Sequence, residues 1–204
     1  MLGIAGGSGA GKSTVVREVV RALGPETASV IRHDAYYSDL RDLPLDERAR
    51  ANFDHPDSLE TELLIRHLQT LLAGTPVDVP TYDFTIHVRA SHRRRVHPTP
   101  LVILDGILVL ADPGLRALMD LRVFVHADAE ARLSRRLERD TADRGRTPES
   151  VIEQFELTVR PMHDRYVEPS REHADMTILE GGHNREAVER LVERLVGLMG
   201  SREQ

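Results

Sequence analysis

The chain has 204 residues and a formal net charge of −6 at pH 7, with 40% hydrophobic and 4% aromatic residues and neither cysteine nor tryptophan. That length suits one α/β domain with a sizeable core; the lack of cysteine excludes a disulfide framework or thiolate metal site, and the acidic balance argues against broad nucleic-acid binding. No apolar stretch approaches the roughly twenty residues of a membrane span and no signal-peptide layout is present, so the expectation is a cytoplasmic protein with no membrane attachment.

Leu2 to Ala5 reads as a buried strand and runs into GGSGAGKST, Gly6 to Thr14. The run fits G-x-x-x-x-G-K-[ST] on Gly6, Gly11, Lys12 and Ser13 and opens an amphipathic helix, Lys12 to Leu23, the strand-loop-helix context of a phosphate-binding loop. Glycine tolerates positive φ, so backbone N–H groups along Gly6, Gly7, Ser8, Gly9, Ala10, Gly11, Lys12, Ser13 and Thr14 can turn around a polyphosphate at the positive end of the helix. Lys12 is the only lysine of the chain, against twenty-six arginines. It would reach the β- and γ-phosphates, with the Ser13 hydroxyl on Mg²⁺. A dinucleotide fingerprint is the rival motif, but it demands glycine where Lys12 stands.

A second strand, Ser29 to His33, leads into Asp34, which projects toward the same edge as Lys12. There it is the candidate general base for an attacking hydroxyl, a role worth roughly 10² to 10⁴ in rate. A helix follows over Leu59 to Ala73. Between Pro76 and Pro100 short alternating pieces predict a β-hairpin arm, on which the basic run His92 to His97 reads as a solvated face. The next strand, Leu101 to Asp105, ends in a carboxylate placed beside the metal. Strands at Leu121 to Val125 and Asp175 to Leu179, with helices at Gly114 to Met119, Ala129 to Thr141, Pro148 to Arg165 and Arg185 to Met199, complete the alternation. It predicts a P-loop NTPase fold, a five-stranded parallel sheet covered on both faces with ligands at its carboxyl edge.

Arg132, Arg135, Arg136 and Arg139 share one helix stripe, with Leu133 and Leu137 on another, and the helix leads into DTADRGRTP, where Arg144 and Arg146 flank a glycine. The pattern leaves open a solvated face paired with Glu130 and Glu138, or a hinged arginine lid that closes over a triphosphate. Five of the eight aromatics, Tyr36, Tyr37, Phe53, Tyr82 and Phe84, fall within 36–84. They suit either a pocket stacking a flat heterocycle or an apolar cluster under the hairpin.

The strings GIAGGSGAGKST, HDAYYSDL, NFDHPD, YDFTIHVR, VILDGIL, RLSRRLERDTADRGR, QFELTVRPM, VEPS and ADMTILEGGHN together closely resemble the uridine kinase (uridine-cytidine kinase) family, from Leu2 to about Asn184. The resemblance implies a single P-loop kinase domain over 1–204, with a hairpin arm at about 76–100 and an arginine lid at about 140–148. It implies Mg²⁺-dependent transfer of phosphate from ATP or GTP to the 5′-hydroxyl of uridine or cytidine, in a homo-oligomer that is a tetramer by analogy. On this basis Asp34 is the base for the 5′-hydroxyl and Tyr37 lines its pocket; Asp54 holds the ribose hydroxyls beside Phe53; Tyr82, Phe84 and His87 face the pyrimidine. Arg136, Arg139, Arg144 and Arg146 match lid positions that reach phosphates or nucleoside, with Arg139 on the reacting group and Arg144 on the donor, and Gln154 matches a substrate-side position. Ser13 and Asp105 form the metal side.

Two departures stand out. Asp105 replaces the family's usual glutamate, one methylene longer, which points to a water-bridged metal. Glu180 stands where arginine is common. A neutral His87 can donate or accept, so both uridine and cytidine are expected substrates, and an aspartate on the ribose predicts poor use of deoxynucleosides. The alternatives are a P-loop kinase of another small alcohol, of sugar phosphate or pantothenate type, and a nucleotide switch, for which the chain lacks the lysine of an N-K-x-D signature.

Overall fold

The computed structural model describes residues 1–181 and 184–201. In its first half the elements are β1 (Leu2–Ala5), α1 (Lys12–Leu23), β2 (Ala28–Arg32), α2 (Leu45–Ala49), α3 (Thr61–Leu72) and the pair β3 (Val77–Asp83) and β4 (Val88–Val96). Then come β5 (Leu101–Asp105), α4 (Pro113–Arg116), β6 (Leu121–His126), α5 (Ala129–Arg144), α6 (Pro148–Gln154), α7 (Arg160–Met162), β7 (Met176–Leu179) and α8 (Arg185–Gly200). Five strands form one parallel sheet in the order β2-β5-β1-β6-β7, while β3 and β4 pair antiparallel as a separate hairpin.

Every residue of β1 and β5 is buried. Their side chains alternate between two cores: Leu2, Ile4, Leu101 and Ile103 pack with α1 and α8, whereas Ala5, Val102 and Leu104 pack with Tyr36, Leu64 and Leu68 on the other face. That two-sided cover explains why the strands read as unbroken apolar runs. At the carboxyl edge β2, β5 and β1 are neighbours, with Asp105 in register with Arg32 on one side and Ile4 on the other. The phosphate loop, Asp34 and Asp105 therefore issue from three adjacent strands.

Helix α2 was not expected and α4 ends at Arg116 where Met119 was expected; two further differences bear on the site. The helix predicted to stop at Thr141 runs to Arg144, because Asp140 pairs with Arg136 and Arg144 one turn away on either side, at 3.5 Å each, and Gly145 ends it at φ 62°. Half of the expected lid is thus helical. The single helix predicted over Pro148 to Arg165 is interrupted by two wide π turns, Phe155–Val159 and His163–Val167. Pro161 lies between them; it has no N–H to donate and its ring crowds the carbonyl four residues back, which a widened turn relieves. Among the described residues no helix is long and apolar enough to cross a membrane. Within ADMTILEGGHN, Gly182 and His183 lie outside the described residues, and Glu180 is exposed with φ 62°.

Candidate active site

The loop after β1 delivers Lys12 and Ser13 to the first turn of α1, where helix N–H groups converge. Gly9 holds φ 83°, and a Cβ there would lie 2.4 Å from the Arg132 carbonyl oxygen, so neither the turn nor the close passage of α5 admits another residue. A Cβ on Gly7 would meet the Arg132 guanidinium at 2.7 Å, and one on Gly6 the Val125 carbonyl at 2.1 Å. Gly6, Gly7 and Ala10 therefore form the back of the loop, while Ser8, Gly9, Gly11, Lys12, Ser13 and Thr14 line a cavity of about 590 Å³. Lys12 donates from Nζ to the Gly7 carbonyl at 3.1 Å. Burial lowers its pKa, opposed by the carboxylates of Asp105 and Asp34.

Ser13 Oγ donates to Asp105 Oδ2 at 3.2 Å, and Asp105 Oδ1 is buried without a hydrogen-bond partner. Among the described residues no three acids or histidines cluster as a metal cage. One hydroxyl and one carboxylate with an unmatched oxygen are what Mg²⁺ uses when phosphates and water complete its shell, so the residues fit that ion.

Asp34 lies in a 3-10 turn, His33–Tyr36, that begins as β2 ends and swings it onto the cavity wall. Burial raises its pKa, Asp105 adds repulsion, and Arg32, Lys12 and Arg144 pull the other way. A carboxylate held above its usual range is a better base near neutrality.

The arginine stripe of α5 faces inward. Arg132 and Arg136 are only 3% and 5% exposed, and the acid paired with Arg136 and Arg139 is the fully buried Asp140, while Glu130 and Glu138 are exposed. Arg132 and Arg136 are therefore not part of a solvated face. Arg139 Nε reaches Asp140 at 2.8 Å, Arg136 donates to Ser8 Oγ at 2.6 Å and to Gln154 Oε1 at 3.0 Å, and Arg146 also donates to Gln154 Oε1. Arg135 donates to the Gly9 and Ala10 carbonyls, both at 3.3 Å.

Tyr37, Phe53, Phe84 and His87 wall the same cavity together with Asp54 and Gln154. Tyr37 meets Phe53 edge-on at 5.1 Å, and His87 stacks on Phe53 at 5.0 Å and 19°. The Arg144 guanidinium lies 4.8 Å over the Phe84 ring. Two aromatics fall outside the wall: Tyr36 is core, its hydroxyl 2.9 Å from His67 Nδ1, and Tyr82 packs behind Tyr37 with its own hydroxyl buried and unpartnered. Asp54 is buried and its pKa is raised by burial, with Arg136 the leading opposing charge. His87 has φ 55°, strain of the kind that collects at working sites, and burial with Arg146 and Arg144 lowers its pKa so that the ring is neutral near pH 7.

Sequence reasoning named Arg132 and Arg135 only as members of the stripe and left Asp140 and His163 without roles. Asp140 was findable, standing four residues after Arg136 and four before Arg144. The packing of Arg132 and His163 behind Gly7 left no local signal.

A parallel sheet with a glycine-rich loop at its carboxyl edge, a lysine and serine opening the following helix and an arginine-bearing helix over the cavity defines a P-loop kinase. The chain belongs to the phosphoribulokinase / uridine kinase family, whose sequence model matches residues 1–187. It is 46% identical over 201 residues to uridine kinase of Chloroflexus aggregans (strain MD-66 / DSM 9485), covering 98% of this chain and 96% of that one. It is 43% identical to uridine kinase of Clostridium perfringens (strain SM101 / Type A), covering 99% and 97%. Among solved structures, phosphoribulokinase from Rhodobacter spheroides aligns with a TM-score of 0.65 at 17% identity, over 88% of this chain and 69% of that one, a likeness of fold.

Proposed function

We propose that this chain is a uridine/cytidine kinase, transferring the γ-phosphate of ATP or GTP to the nucleoside 5′-hydroxyl to give UMP or CMP. The observation that carries the reading is one cavity with two unlike sets of lining groups, a phosphate loop and an aromatic wall bearing Asp54, with Asp34 in the same lining. Near-full-length likeness to proteins named uridine kinase supports it.

The backbone of Ser8 to Thr14 and Lys12 hold the donor phosphates, which add to the negative charge that Asp105 and Asp34 present to the buried Lys12. Ser13 and Asp105 would hold Mg²⁺, which when bound offsets charge on the phosphoryl oxygens. Asp54 accepts from the ribose hydroxyls, Phe53 and Phe84 flank the base, and the neutral His87 meets either pyrimidine through whichever ring nitrogen carries the proton. Asp34 takes the 5′-hydroxyl proton as the oxygen attacks phosphorus. Arg139, with Arg136, Arg144 and Arg146, lies on the lid side and adds positive charge while excluding water. The family resemblance also carries a cytoplasmic homotetramer.

An ADP-release assay over a panel of acceptors tests the reading. Turnover is expected with uridine and with cytidine and weak with deoxyuridine; turnover with a sugar phosphate or pantothenate and none with either riboside would refute it.

A further inference from the structure

The π turn His163–Val167 packs against both the phosphate loop and the loop that carries Asp54. His163, 8% exposed, places Nδ1 3.0 Å from where a Cβ of Gly7 would stand, against the phosphate loop and beside Arg132. Three residues later Tyr166 packs on the main core and puts its hydroxyl 2.9 Å from His55 Nε2, with the two rings edge-on at 5.1 Å. His55 adjoins Asp54. The widened turn is closed by the Glu168 N–H donating to the His163 carbonyl at 2.8 Å.

The loop that carries Asp54 is largely self-bonded. Asp54 N–H donates to Asn52 Oδ1 at 3.2 Å, Ser58 Oγ donates to the Phe53 and His55 carbonyls at 3.1 and 2.6 Å, and Asp57 N–H donates to His55 Nδ1 at 3.2 Å. It is fastened outward on one side by the Ser38 N–H to the Ser58 carbonyl at 2.8 Å. On the other side, beside the ring contacts of Phe53 with Tyr37 and His87, the outward hydrogen bond is His55 to Tyr166. Because Nδ1 accepts from Asp57, the ring proton sits on Nε2 and is donated to the tyrosine oxygen. A buried acid that must grip two hydroxyls needs a loop held to within about half an ångström, and this bond references that loop to the same turn that seats the phosphate loop.

We propose that the turn His163–Val167 is a strut between the donor and acceptor loops, and that Tyr166, acting through His55, is a positioning residue for Asp54. The inference rests on the reading of Asp54 as the ribose-gripping acid.

The test is steady-state kinetics of the full chain with uridine, deoxyuridine and ATP, on Tyr166→Phe, His55→Asn and the double variant, with Asp54→Asn in parallel. Tyr166→Phe removes one hydroxyl, and asparagine at 55 can still accept from Asp57 but is too short to reach Tyr166. Each single variant is expected to raise the uridine KM about fivefold, the loss of one hydrogen bond, with kcat and the ATP KM within about twofold. The preference for uridine over deoxyuridine falls by the same factor, and the double variant is no worse than either single one. Unchanged uridine KM and preference in both single variants, while Asp54→Asn erases the preference, would overturn the strut and leave the Asp54 reading intact. An Asp54→Asn enzyme that keeps the preference would overturn that reading and the strut with it. A joint rise of the ATP and uridine KM would mark a general loosening of the fold and would also overturn the proposal.

Discussion

The phosphate loop and the acceptor wall share one cavity, yet they are built in opposite ways. The loop is nine consecutive residues, Gly6 to Thr14, whose working groups are mostly backbone N–H groups at the start of α1. The wall gathers Tyr37, Phe53, Asp54, Phe84, His87 and Gln154 from a 3-10 exit, a self-bonded loop, a hairpin tip and a helix end. A backbone site depends on local conformation and tolerates change elsewhere. A wall of side chains depends on every element that holds it, above all the buried Asp140 that ties Arg136, Arg139 and Arg144 together.

The largest effect is expected where the two regions meet. Asp34→Asn should lower kcat about 10²-fold with little change in melting temperature. Because burial and Asp105 raise the Asp34 pKa, the wild-type rate should fall with decreasing pH through a value above the ordinary carboxylate range of about 4, as the base becomes protonated. A variant within twofold of wild type, or an unchanged acid limb in it, would remove Asp34 as the base.

Next comes the wall alone. Asp140→Asn leaves three arginines facing one another without their counter-charge, and with two of them partly exposed the loss of stability should be about 2 kcal/mol. The uridine KM should rise several-fold while affinity for the donor changes less. Equal damage to both substrates, or no shift in thermal melting, would erase the contrast between the two regions.

The effect that is smallest near neutral pH concerns the frame under both. His33 and His163 are buried, and burial pushes each pKa down to about 4, with Arg132 adding to the shift at His163. The unfolded chain binds protons at these positions below about pH 6.5 and the folded chain does not, so stability should fall as pH drops from about 6.5 to about 4. His33→Gln should flatten that fall by up to about 1.4 kcal/mol per pH unit, one proton's worth, read from urea titrations across the window. An unaltered slope would show that His33 takes no part.

This contrast explains what the sequence made legible. The strands and α1 were readable because each carries its own periodicity and its own cap or turn, and the loop because its glycines and Lys12 are contiguous. The residues of the wall lie far apart in the chain and acquire roles through the family resemblance, since no local pattern binds Asp54 to His87. The inward turn of the α5 arginines was not legible, because a stripe at this spacing looks the same whether it faces water or a polyanion. The interrupted helix after Thr147 was marked by Pro161, but a proline alone does not say whether a helix breaks or widens.

The central claim is that both substrates meet in the one cavity. A crystal structure with cytidine and a non-hydrolysable triphosphate tests it most directly. The account predicts the γ-phosphate at Lys12, the ribose hydroxyls at Asp54 and the 5′-oxygen within hydrogen-bonding reach of Asp34. A nucleoside bound on any other face, or a 5′-oxygen turned away from the phosphate loop, would contradict it.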